Sequence, residues 1–69
     1  MVTLESIGRK IATLRAEKSM SQEDLAGEAN IARNYISRIE NGKVACSVAV
    51  LLKIAEGLNV KPEVLLIEN

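Results

Sequence analysis

Between Ser21 and Lys43, SQEDLAGEANIARNYISRIENGK, two short amphipathic patterns are separated by too few residues for a flexible linker. The rest of the chain must therefore fit two helices that cross at a tight turn. The first begins with a capping-box pattern: Ser21 can accept from the amide of Asp24, and Asp24 can accept in return from the amide of Ser21. Glu23 and Asp24 then fall where the helix dipole favours negative charge. Leu25, Ala26 and Ala29 form an apolar stripe, and Ala26 is small enough for another helix to cross closely. Asn30 ends this helix, because Asn tolerates the left-handed backbone that a helix C-terminus often needs. Ile31 restarts the apolar pattern and Tyr35, Ile36 and Ile39 continue it. Arg33, Asn34, Ser37, Arg38 and Asn41 are left on the opposite face of a second helix over about 32–41.

The flanking segments read as support for this pair. Leu4, Ile7, Ile11 and Leu14 fall at three- and four-residue steps, which predicts a helix over 4–18. Gly8 inside it marks either a close approach by another helix or a tolerated exposed position. Met1 to Thr3 have no evident partner and are expected to fray. Met20 precedes the Ser21 cap, where a hydrophobic staple to Leu25 belongs. Asn41-Gly42 is a strong helix stop, and Ser47 is a good cap for SVAVLLKIAEGL, with Leu51, Ile54, Ala55 and Leu58 as its core stripe. Pro62 opens a short last helix. Val64, Leu65, Leu66 and Ile67 are consecutive, and a two-turn helix cannot turn all four toward one small core. The surplus predicts a self-complementary dimer contact through Val60, Val64 and Ile67, or packing on a segment beyond this chain.

Sixty-nine residues are expected to form a single domain over 1–69, whose core supplies roughly 3–5 kcal/mol of net stability. One Cys and no His exclude an internal disulfide and an ordinary zinc site, so neither metal nor cofactor is expected. No charged-then-apolar leader and no long apolar run is present, so the expected location is the cytoplasm, away from membranes. Without a His, a nucleophile with a paired base or a phosphate-cradling glycine loop, an enzyme is not expected. Tyr35 is the one aromatic residue, which argues against recognition of single strands by stacking. A zero net charge is an objection to any nucleic-acid partner, and charge placement answers it. Residues 19–31 carry −3, whereas residues 32–46, the second helix and its loop, carry +2 through Arg33, Arg38 and Lys43 against Glu40.

SQEDLA, an apolar residue after the turn, YISRIENGK, then LLKIAEGLNV and a closing LL pair resemble, in order and spacing, the lambda-repressor and Cro type of helix-turn-helix, also called the xenobiotic-response-element family. The likeness covers almost all of residues 7–66. It departs at three positions: Asn30 replaces the usual turn Gly, Ala32 replaces a Ser or Thr cap, and Cys46 stands where Pro is common. The resemblance implies an all-α, compact five-helix bundle whose third helix enters the major groove of double-stranded DNA. It also implies that Arg15 pairs with Glu40; without it, both would read as ordinary exposed charges.

Arg33, Asn34, Ser37 and Arg38 project together from the first turns of the second motif helix and are the expected base contacts. Arg offers a bidentate fork to guanine, Asn can donate and accept at adenine, and Ser is adaptable. The competing reading of the same face is a solvated surface. Gln22, Tyr35, Asn41 and Lys43 flank it and are the expected phosphate contacts, Gln22 beside the free N–H groups of a helix start. Cys46 reads as a packed thiol, with a redox switch as the alternative. The expected function is a dimeric, sequence-specific transcription regulator on a pseudo-palindromic operator. A restriction-modification controller protein and a phage-type repressor fit the size equally, and a protein-interaction module such as an antitoxin or adaptor is the alternative.

Overall fold

A computed structural model describes residues 1–67; Glu68 and Asn69, which the expected domain 1–69 includes, lie outside the described residues. Helix α1 spans Leu4–Glu17, α2 Gln22–Ala29, α3 Arg33–Glu40 and α4 Val48–Leu58, followed by a 3-10 turn over Pro62–Leu66. The expected second motif helix over 32–41 is α3 together with its caps, Ala32 and Asn41. The last element is a 3-10 turn and not the short α-helix expected. Pro62 sets its start, and five residues are too few to gain much from the wider α-helical hydrogen bonding.

Three of the four α-helices begin with a side-chain cap. The Ser21 hydroxyl accepts from the Asp24 amide and the Asp24 carboxylate accepts from the Ser21 amide, each at 2.9 Å, which completes the expected capping box. Ser47 caps α4 by accepting from the Val50 amide at 3.2 Å. Ala32, without a side-chain acceptor, leaves α3 uncapped. The expectation that Met1 to Thr3 fray is corrected at Thr3. Its hydroxyl accepts from the Ser6 amide at 3.0 Å and its own amide donates to the Ser6 hydroxyl at 2.8 Å, making a second capping box. Met1 is not free of interactions either.

The four α-helices end alike. Ser19, Asn30, Gly42 and Asn59 have φ of 56°, 57°, 70° and 58°, and the residue after each donates to a carbonyl five positions back. These bonds are Met20 to Arg15, Ile31 to Ala26, Lys43 to Arg38 and Val60 to Ala55, at 2.9–3.0 Å. Each satisfies a carbonyl that the helix end would otherwise leave open. The repeated device turns the chain sharply at each helix end, and with only residues 30–32 between them the two eight-residue helices α2 and α3 are held at a tight crossing.

Ile11, Leu25, Ile36, Ile54, Leu58 and Leu65 are almost fully buried, one or two from each element, and burying each such side chain is worth about 1.5–3 kcal/mol. The core stripe expected on α4 is borne out: Leu51, Ile54, Ala55 and Leu58 are its buried residues. Leu25, Ala26 and Ala29 fill the same role on α2. Small residues set the crossings. A Cβ on Gly8 of α1 would run into the Ile39 carbonyl oxygen at the end of α3 and lie 2.7 Å from that of Glu40. A Cβ on Gly57 of α4 would lie 3.1–3.3 Å from Leu25 and Ala29. Among the described residues, no buried side-chain nitrogen or oxygen lacks a hydrogen-bond partner.

Candidate nucleic-acid interface

Ile36 and Ile39 pin one side of α3 into the core, so the 3.6-residue period turns Arg33, Asn34 and Arg38 outward, where all three are exposed. Ser37 sits half-buried between them. Among the described residues, none of these four side chains has a hydrogen-bond or ion-pair partner within the chain. Their polar groups are therefore free for another molecule. Asn41 and Lys43 lie exposed just beyond the C-terminal end of the helix, while Tyr35 is half-buried and packs against the core. The four expected base contacts thus share one helix face, with two expected phosphate contacts at one end of it.

Gln22 is placed differently from a free surface donor. It is the first residue of α2, half-buried, and its Nε2 donates to Glu40 Oε1 at 3.0 Å. The same carboxylate receives Arg15. Nε donates to Oε2 at 2.8 Å and Nη2 to Oε1 at 3.1 Å, a bidentate pair, and Nη1 donates to the Met20 carbonyl at 2.7 Å. The Arg15 and Glu40 side chains are 19% and 6% exposed, so the pair is largely shielded from water. The hydrogen bonds to Glu40 hold the Arg15 guanidinium above its already high ordinary value, against the opposing effect of burial. The expected Arg15–Glu40 pair is therefore present, and it joins α1, the link into α2 and the last residue of α3. Its extension to Gln22 and to the Met20 carbonyl had no sequence signal: Gln22 and Glu40 are 18 residues apart on different helices.

The apolar surplus near the C-terminus is divided. Leu65 is buried, whereas Leu66 and Ile67 are 46% and 52% exposed. Val60 and Val64 are half-buried, and Val60 packs on the core. Val60 borders a hollow with Leu52, Glu56 and Pro62, and Ile67 borders another beside Ser6, Arg9 and Lys10 of α1. A third, almost wholly apolar groove of about 210 Å3 lies among Leu4, Ile7, Cys46, Val48 and Leu66. Burial there pushes the Cys46 thiol up from its ordinary value, which disfavours the thiolate form. Among the described residues there is no cluster of three potential metal-ligating side chains, and no helix is long and apolar enough to cross a membrane.

The chain matches the family profile described as helix-turn-helix over residues 11–65. It is 45% identical over 60 residues to the control protein C.BamHI of Bacillus amyloliquefaciens, across 86% of this chain and 74% of that protein. It is 44% identical over 54 residues to the control protein C.MunI of a Mycoplasma species, across 77% of this chain and 73% of that one. The fold superposes on the restriction-modification controller protein C.AhdI from Aeromonas hydrophila with a TM-score of 0.88 and 34% identity, covering 90% and 94% of the two chains. It superposes on C.Esp1396I, solved as a tetramer in complex with its natural 35 base-pair operator, with a TM-score of 0.85 and 38% identity, covering 91% and 83%.

Proposed function

Since this chain belongs to the lambda-repressor and Cro type of helix-turn-helix regulators, within which the restriction-modification controller proteins are its relatives, we propose that it is a controller-type transcription regulator that binds operator DNA as a homodimer. The 69 residues act as one DNA-binding domain, without catalysis, in the cytoplasm where its DNA target lies. Helix α3 enters the major groove and presents Arg33, Asn34, Ser37 and Arg38 to base edges. Gln22, Tyr35, Asn41 and Lys43 meet the flanking phosphates, which fix register but carry no sequence information. Two such helices in a dimer read half-sites about one helical turn apart. Val60, Val64 and Ile67, with the neighbouring Leu52, supply the apolar contact between the two copies.

The observation that carries this reading is the α3 face: exposed Arg33, Asn34 and Arg38 without intramolecular partners, held outward by Ile36 and Ile39 beneath. An isolated polar helix would be solvated surface, but here the side chains sit on the second helix of a rigid pair in a family of DNA-binding regulators. The neutral total charge favours specificity from base contacts over tight non-specific binding.

Fluorescence anisotropy tests it, with a duplex from the region upstream of the coding sequence beside a scrambled duplex, across salt. Selective binding that weakens steeply as salt rises is expected, and Arg38→Ala should cost about 1–3 kcal/mol while relaxing discrimination between the duplexes. Equal, feeble binding of both duplexes by the folded parent chain would sink the proposal and favour a protein-interaction module.

A further inference from the structure

The Glu40 carboxylate holds two groups at once. Its Oε1 accepts from Arg15 Nη2 at 3.1 Å and from Gln22 Nε2 at 3.0 Å, while its Oε2 accepts from Arg15 Nε at 2.8 Å. A carboxylate gripped along both oxygens by a planar guanidinium cannot rotate freely. Gln22 therefore meets a fixed acceptor, and its carboxamide can face that acceptor in one sense only, because turning its own carbonyl oxygen toward the carboxylate would set two acceptors against each other. Gln22 is also the first residue of α2, at the helix end where backbone N–H groups are open to an anion.

We propose that Glu40 is a positioning residue for DNA binding: braced by Arg15, it locks the Gln22 amide so that its remaining N–H is aimed at the DNA backbone before the DNA arrives. Glu40 itself touches no DNA. The proposal rests on the DNA-binding reading above and adds to it a link that runs from Arg15 of α1 through Glu40, the last residue of α3, to a contact at the start of α2. A glutamine held in this way has surrendered its rotamer freedom on folding and loses little more on binding, whereas a free one must be ordered by the DNA. The bidentate pair thereby acts on affinity as well as on the fold.

The experiment uses the full chain and a duplex that the parent chain itself selects from a random library. Arg15→Met with Glu40→Leu replaces the ion pair by apolar groups of similar size, a change that shielded pairs often tolerate, and frees Gln22. This double variant, Gln22→Ala and their combination form a cycle. The double variant and Gln22→Ala are each expected to bind about fivefold more weakly, in line with one net hydrogen bond, and the combination no more weakly than either. Arg15→Met with Glu40→Gln offers Gln22 an acceptor without the Arg15 brace. It is expected to bind no better than the double variant, because an unbraced amide can turn either its oxygen or its NH2 toward Gln22. Recovery of affinity by it would overturn the bracing role of Arg15. A purely structural role would instead make the losses multiply, and multiplied losses overturn the proposal, as does parent-like binding by the double variant. Absence of selective binding by the parent chain overturns the DNA-binding reading and this proposal together. If the double variant does not fold, the Gln22 side-chain amide in the parent chain decides by NMR. One slowly exchanging, hydrogen-bonded amide proton is expected in the free chain, with the second becoming protected when the selected duplex is added. Two freely exchanging protons in the free chain, or a second proton that the duplex leaves unprotected, overturn the proposal.

Discussion

Gly8 of α1 lies against the backbone of Ile39 at the end of α3 so closely that a Cβ would run into the Ile39 carbonyl oxygen. That contact sets the distance between α1 and α3. In an unconstrained helix Ala would gain about 1 kcal/mol over Gly. At position 8 the added methyl meets backbone, which cannot rotate away, and overpacking of this kind costs about 1–3 kcal/mol. Gly8→Ala is therefore expected to lower the melting temperature by several degrees. Gly27 is the internal control: a Cβ there meets nothing within 4 Å, and Gly27→Ala should stabilise by about 0.5–1 kcal/mol. Thermal unfolding followed by circular dichroism reads both, and a Gly8→Ala protein as stable as Gly27→Ala would disprove the close crossing.

Ser19 ends α1 in the left-handed region, with φ of 56°. The bond from the Met20 amide to the Arg15 carbonyl at 3.0 Å depends on that conformation. For a residue with a Cβ it costs about 1–2 kcal/mol, which glycine does not incur. Ser19→Gly is expected to raise stability by about 1 kcal/mol in urea unfolding with an unchanged slope. A lower midpoint would mean that the Ser19 side chain contributes more than its backbone costs.

These two sites show which features the sequence displayed. Asn30 was legible as a left-handed cap because Asn is the usual substitute for Gly and stands between two apolar patterns. Ser19 was not, since Ser is common in ordinary links. Thr3 was missed for a similar reason: its capping box is closed by Ser6 where Glu or Gln is the recognisable partner. The α2 and α4 stripes were readable from period alone, because each buries one face against the other. Leu4 follows the same period on α1 yet is 42% exposed, since the first turn of the helix overhangs the core. The α3 face was legible as a polar stripe beside Ile36 and Ile39. The bond from Gln22 to Glu40 was not, because it joins two helices whose mutual angle no local pattern specifies.

Asp24 gives the fold a defined acid dependence. The Ser21 amide, and after it the Ser21 hydroxyl, hold the Asp24 carboxyl below its ordinary value. Its folded-state pKa thus lies under the unfolded value of about 3.9. The stabilisation is fully present above the unfolded value and is lost as the pH falls through the folded one. Asp24→Asn should accordingly be less stable than the parent chain at neutral pH, and the difference should shrink in acid as the parent carboxylate is protonated. Urea midpoints measured down through the carboxylate range check this, and a gap that stays constant with pH would show that the box does not depend on the charge.

The proposed dimer predicts that the apolar side chains exposed near Val60 can be altered without harm to the core. Leu52 is 48% exposed on α4 and borders the same hollow as Val60 and Pro62, so a charge placed there remains in water in the monomer. A surface substitution of this sort changes monomer stability by about 0.5 kcal/mol or less. Buried between two copies, the same charge would be unpaired and desolvated, which costs several kcal/mol. Leu52→Lys is therefore expected to keep its melting profile at low concentration while the dimer dissociates at least about tenfold more readily. Sedimentation equilibrium of the parent chain, Leu52→Lys and Ile67→Lys tests both the assembly and the face. If Ile67→Lys weakens the dimer and Leu52→Lys does not, the contact lies on the α1 side of the C-terminal turn. If the parent chain is monomeric at every concentration and on DNA, the homodimer is wrong and a single α3 must supply the whole of recognition.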